Sequence, residues 1–175
     1  AKKAEAKRIV DIKEAERAIV FELQTLKDKL EKLQNLESNS FQLTDTTKAY
    51  ETDAGALINE IENNPTSDLL TLVDYRDSLY SLNSSVRSSI KTEEKRIADI
   101  KKAERAIVFE LQILKDKLEK LQDLELDSLK VQADQLMSEI ANNTKSDLLT
   151  LVDYRDRLYS LNSLVVSSIK TEEKR

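Results

Sequence analysis

The chain has 175 residues, a net charge of −5, 39% hydrophobic and 35% charged residues, one Gly, one Pro and neither Cys nor His. These counts exclude collagen-like and linker classes, disulfides and thiolate metal sites, and they remove the commonest general acid/base and transition-metal ligand. Both charge signs are interspersed, so there is no basic field to hold nucleic acid, and no apolar run is long enough to insert in a membrane.

So few turn formers, with Leu, Lys, Glu, Asp and Ala abundant, read as an all-α chain, and an aromatic content of 5% implies an aliphatic core. The first segment, AKKAEAKRIVDIKEAERA, is charged throughout and does not read as a signal peptide. Ile9, Ile12, Ile19, Leu23, Leu26, Leu30 and Leu33 then form the stripe of an amphipathic helix, with Glu16 as its polar exception. Residues 38–40 (SNS) form a turn cluster, and 44–46 (TDT) offer caps for a second helix that buries Tyr50, Ala54, Leu57, Ile58 and Ile61. Gly55 inside that helix costs roughly 1 kcal/mol relative to Ala. Asn63-Asn64-Pro65 ends it, because the residue before proline is pushed out of the α region.

Thr66 or Ser67 is expected to cap the third helix, whose stripe is Leu72, Tyr75, Leu79, Leu82 and Val86. Nothing interrupts a helix from Ser67 to about Glu125, and apolar spacing continues through Ile90, Ile97, Ile100, Ile107, Leu111, Leu114, Leu118 and Leu121. Such a helix would run about 85 Å. Glu93 breaks the apolar spacing and Glu94-Lys95-Arg96 surround it with charge, which predicts the segment least held by packing. Further on, Asp127 or Ser128 should cap a short helix carrying Leu129, Ala133, Leu136, Met137 and Ile140. Asn142 and Asn143 close that helix, and Ser146 should cap the last one.

Internal repetition organises these elements. Lys7–Glu37 returns almost unchanged as Lys95–Glu125, an offset of 88 (95 minus 7). Ser67–Arg96 returns as Ser146–Arg175, an offset of 79 (146 minus 67), so the second copy has lost nine residues (88 minus 79) between these blocks. Three helices on short connections run up, down and up, so the third can pass without a turn into the next unit. The expected fold is two tandem three-helix bundles, residues 1–94 and 95–175, sharing one long connecting helix in an elongated rod. The nine-residue loss predicts that the second repeat's first helix stops early or that its linker, near Leu124 to Ser128, is extended. The alternative is that SNSFQLTDT is a surface loop added to the first repeat, and whether the second repeat closes fully is left open.

This arrangement, with SSIKTEEKRIADIKKAERA as its junction, resembles spectrin-like tandem repeats. The resemblance implies consecutive three-helix bundles in which each third helix continues as the next first helix. Near-identical copies without cysteine also look like repeats of bacterial surface stalks, and they equally suit an engineered concatemer.

Three differences between the copies replace polar by apolar side chains at about the same height: Thr25 becomes Ile113, Ser85 becomes Leu164 and Arg87 becomes Val166. Phe21 and Phe109 lie almost opposite the core stripe, about 180° away on a wheel of 100° per residue, with Ile113 one turn beyond Phe109 on that outer side. Together Phe21, Phe109, Ile113, Leu164 and Val166 are the candidate partner-binding residues, weighed against simple repacking. Glu16 and Glu104, Arg76 and Arg155, and Asn83 and Asn162 fall at or near core spacing, where polar residues more often fix register than perform chemistry. Tyr75, Tyr80, Tyr154 and Tyr159 read as core and rim aromatics. The acidic stretches lack calcium-loop spacing and read as solvated faces with ion pairs such as Lys27–Glu31 and Asp28–Lys32. Asn83-Ser84-Ser85 and Asn142-Asn143-Thr144 match the glycosylation sequon, a weak pattern that a helix disfavours.

The expectation is a non-enzymatic structural or spacer protein, a stalk or scaffold segment, with no cofactor, no metal and no small-molecule substrate. The alternative is a protein-binding or self-assembly module that uses an apolar patch on the second repeat. Localisation is not legible.

Overall fold

Five helices carry the fold in a computed structural model that describes residues 1–38, 41–144 and 147–175: α1 (Lys2–Leu36), α2 (Asp45–Asn63), α3 (Leu69–Asp123), α4 (Asp127–Ala141) and α5 (Leu148–Glu173). No strand occurs among the described residues, so the all-α reading holds. The chain divides into two compact units, Ala1–Lys95 and Arg96–Arg175, and α3 contributes its first part to one and its second part to the other. No helix among the described residues is long and apolar enough to cross a membrane.

In the first unit the core is the aliphatic stripe that periodicity picks out. Leu26, Leu33, Leu79 and Val86 have no exposed surface, and Ala15, Ile19, Ala54, Ile58, Leu72 and Ile90 are buried around them. In the second unit Leu114, Leu121, Ala133, Leu158 and Val165 play the same part, with Ala103, Ile107, Leu136, Leu151 and Ile169 buried beside them. A fully buried Leu or Val contributes about 1.5–3 kcal/mol relative to exposure, so these stripes dominate stability in both units.

Two helix starts differ from expectation. Thr66 and Ser67 do not cap α3; Asp68 does, its carboxylate accepting from the Thr71 backbone N–H at 3.1 Å and the Thr71 hydroxyl at 2.7 Å. Thr66 instead accepts from the Asp68 N–H, one step upstream. Hydrogen bonds from Thr71 hold the Asp68 carboxyl below its usual pKa. The expected cap Ser146 lies outside the described residues, and Asp147 accepts the equivalent bond from the Thr150 N–H. Asp and Thr three apart reproduce a cap in both repeats because the carboxylate reaches the first unpaired amides of the helix. α4 starts without a side-chain cap: its N-cap is Leu126, and Asp127 is its first residue.

The second repeat's first helix does not stop early. α1 ends at Leu36 and α3 at Asp123, within one residue of equivalence at the offset of 88. Nor is the linker extended. Glu125 adopts a left-handed backbone (φ 56°), Leu126 N–H donates to Leu121 C=O at 2.9 Å, and Glu125 N–H donates to Gln122 C=O at 3.1 Å. Those two bonds satisfy orphan carbonyls of the helix end and reverse the chain within residues 124–126. The nine residues are lost mainly from this connection, which occupies 37–44 in the first repeat, and from the middle helix, 19 residues in α2 against 15 in α4.

Within the longer connection Asn39 and Ser40 lie outside the described residues, but Phe41 and Leu43 do not behave as surface-loop residues. Phe41 and Leu43 are buried, with relative exposures of 7% and 3%, and Ser38 and Phe41 exchange backbone hydrogen bonds at 3.0 and 3.2 Å. Phe41 and Leu43 plug the end of the first core.

Candidate functional site

The expected weak point at Glu93 is the most enclosed polar site among the described residues. Glu93 has no exposed surface. Its Oε1 accepts three hydrogen bonds, from the Thr44 N–H at 3.1 Å, the Thr44 hydroxyl at 2.8 Å and the Thr47 hydroxyl at 2.8 Å. Thr44 is also the N-cap of α2, accepting from Thr47 N–H at 3.3 Å. The carboxyl group thus sits at the positive end of α2, where negative charge is favoured. Burial and hydrogen bonds hold Glu93 itself, contrary to its sequence pattern, while Glu94 and Lys95 stay exposed. Its equivalent in the second repeat, Glu172, is 29% exposed and pairs with Arg175 at 3.6 Å. The donors Thr44 and Thr47 belong to the part that the second repeat lacks.

A second polar site recurs in both repeats. Asn83 Nδ2 donates to Glu22 C=O at 3.0 Å and to Glu22 Oε2 at 2.7 Å, tying α3 to α1. Asn162 makes the same pair of bonds to Glu110, also at 3.0 and 2.7 Å. The repeats then diverge. Lys29 donates to the Asn83 backbone C=O at 3.0 Å and to its Oδ1 at 3.3 Å, whereas Asn162 Oδ1 has no partner among the described residues. Partial burial pushes the Lys29 ammonium below its usual pKa; the Arg87 cation adds to this and the Glu22 carboxylate opposes it. Burial of Asn83 also removes it as a glycosylation acceptor.

An orphaned buried acceptor costs about 1–3 kcal/mol. Replacing Asn162 by Leu removes that cost along with the Glu110 bonds, whereas Asn83→Leu loses bonds that are all made. Asn162→Leu is therefore expected to be better tolerated than Asn83→Leu by about 1–2 kcal/mol. Urea unfolding read by amide hydrogen exchange in each repeat measures the difference.

The candidate partner residues fall into separate places. Phe21 and Phe109 are 69% and 66% exposed, each beside an equally exposed valine, Val20 (69%) and Val108 (68%). Ile113 and Val166 come together in one groove of the second unit, with Glu110, Tyr159, Asn162 and Lys170. Leu164, 48% exposed, lines another groove with Gln132, Leu136, Glu139 and Arg157. The three polar-to-apolar differences therefore do not form a single patch, and Ile113 does not continue the outward stripe of Phe109. In the first unit the α2–α3 groove is lined by hydroxyls instead, among them Ser84, Ser85, Ser88 and Thr92.

Other polar expectations resolve plainly. Glu16 and Glu104 are exposed, not core residues. Lys27 pairs with Glu62 and Lys32 with Glu94 (3.1 Å), each across helices and not along the helix, while Asp28 accepts from Gln24 at 2.9 Å. Lys120–Glu173 (2.8 Å) repeats the Lys32–Glu94 bridge in the second unit. Tyr154 is buried; Tyr80 and Tyr159 stay at the rim, 48% and 44% exposed.

One residue missed by sequence reasoning is Arg157, which stands where the first repeat has Ser78. Its guanidinium bonds Glu139 through both oxygens, at 3.0 and 2.7 Å, and joins α5 to α4. Those bonds hold the Glu139 carboxyl below its usual pKa and raise that of Arg157. Both groups are largely solvated, so the bridge specifies alignment more than stability. The signal was a charge gained on the middle-helix side of the last block.

Among the described residues no group of three or more His, Cys, Asp or Glu could hold a metal ion. No protein-family model, no curated protein and no solved structure matches the chain.

Proposed function

We propose that the chain is a non-enzymatic spacer, a stalk or scaffold segment that works by setting distance. One observation supports this reading above the others: α3 (Leu69–Asp123) is a single helix that serves as the last helix of one sequence repeat and the first of the next. A helical connection between repeats is what a spacer would use, since helical segments act as stiffer spacers than Gly/Ser linkers. The spectrin-like reading of the topology belongs to the same proposal. Exposed polar faces, an aliphatic core and buried polar groups committed to helix-to-helix bonds favour a mechanical role over chemistry.

At 1.5 Å per residue a helix of this length spans about 80 Å. Small-angle scattering of the full chain is expected to give a maximum dimension of at least about 80 Å. A compact particle with the radius of gyration of an ordinary globule of this length, about 16 Å, overturns the spacer reading.

A further inference from the structure

We propose that the outward valine–phenylalanine stripe pairs two molecules of this chain in antiparallel register. The stripe on α3, bordered by Glu104, consists of Lys101, Arg105, Val108, Phe109 and Gln112, and Gln112 extends it by donating to Asp116 Oδ1 at 2.8 Å. All six are exposed. On α1 the same six residue types recur as Lys13, Arg17, Val20, Phe21, Gln24 and Asp28, with Gln24 donating to Asp28 at 2.9 Å. Neighbouring exposed Val and Phe on a helix already packed through its other face make an apolar spot that water covers at a cost.

Charge selects the occupant and its direction. The α3 stripe is basic toward its N-terminal end, where Lys101, Lys102 and Arg105 outnumber Glu104, and it ends at Asp116; on α1 Glu14 replaces Lys102, so charge selects the register on α3. A parallel pair would set lysine against lysine. An antiparallel pair with its two-fold axis at Val108–Phe109 brings Lys101 level with Asp116 of the other molecule, Arg105 with Gln112 and Val108 with Phe109. The α1 stripe sets Lys13 with Asp28, Arg17 with Gln24 and Val20 with Phe21, but Glu14 stands there in place of Lys102, so the dimer is assigned to the α3 stripe. On α3 the one acidic residue among the basic ones, Glu104, comes level with Ile113, so no carboxylates meet there. The surface is thus complementary to itself reversed, the requirement for an isologous two-fold contact.

One stripe is smaller than the ~800 Å² per partner of a standard interface, so the affinity is modest. Sedimentation equilibrium of the full chain at low salt, up to about 1 mM, is expected to show a dimer. Phe21→Ser with Phe109→Ser should abolish it without loss of helical circular dichroism. Lys13→Asp with Lys101→Asp should weaken it about tenfold, and adding Asp28→Lys with Asp116→Lys should restore it, since only the antiparallel register reunites opposite charges. A wild type that stays monomeric throughout this range overturns the proposal, as does a dimer that survives the Phe changes. Failure of the restoring pair overturns the register.

Discussion

Phe41→Ala is expected to destabilise the first repeat by about 3 kcal/mol. Phe41 and Leu43 close one end of the first core although they lie in a connection between helices. Replacing a buried Phe by Ala forfeits the transfer free energy of the ring and leaves a cavity at a residue whose backbone is fixed by two hydrogen bonds to Ser38. The comparison is Leu126→Ala, at the half-buried position after the second repeat's tight turn, where about 1 kcal/mol is expected. Urea unfolding monitored by hydrogen exchange separates the two repeats. Equal, small effects at both positions would return Phe41 to the status of a loop residue. Because ring burial is hydrophobic, the midpoint should move while the denaturant slope stays fixed.

The same pair of positions shows what could and could not be read from the sequence. Helix extents followed from periodicity, since an apolar residue every three or four positions leaves a helix only one way to bury its stripe. Leu26, Leu79, Leu114 and Leu158 are all wholly buried, as their spacing demands. The connections were not legible in this way. SNSFQLTDT offers an apolar pair among turn formers, and no period tells a plug from a loop; the answer depends on the open end of a bundle that other segments build. Caps went astray by one or two residues for a related reason. Thr66, Ser67 and Asp68 are all good caps, and the choice fell to Asp68 because Thr71 supplies a hydroxyl as well as an amide.

The candidate surface was half legible. A helical wheel places Phe21 and Phe109 outward, and both are exposed. It cannot say that Ile113 turns into a groove with Val166 while Leu164 faces α4, because that depends on where the neighbouring helices lie. Equal height along two helices does not make residues neighbours.

Glu93→Ala should cost the first repeat about 3 kcal/mol, and the equivalent Glu172→Ala less than about 0.5 kcal/mol. The two residues are identical in local sequence, so propensity and periodicity predict the same result for both. Their surroundings differ completely. Removing Glu93 leaves the Thr44 N–H and the Thr47 hydroxyl without this acceptor in a site with no exposed surface at Glu93, while the Thr44 hydroxyl keeps Thr47 Oγ1 at 3.1 Å, and each unmet donor carries a desolvation cost. Glu172 keeps only a solvated ion pair with Arg175. Glu93→Gln retains one carbonyl oxygen for these donors, so about 1 kcal/mol is expected. Thermal unfolding of the three variants gives the order Glu93→Ala, then Glu93→Gln, then Glu172→Ala. A loss for Glu93→Ala no larger than that for Glu172→Ala would mean that the threonine cluster adds nothing to stability. If the expected order is found, the acidic residue that interrupts the apolar spacing of α3 is a pin joining that helix to the start of α2.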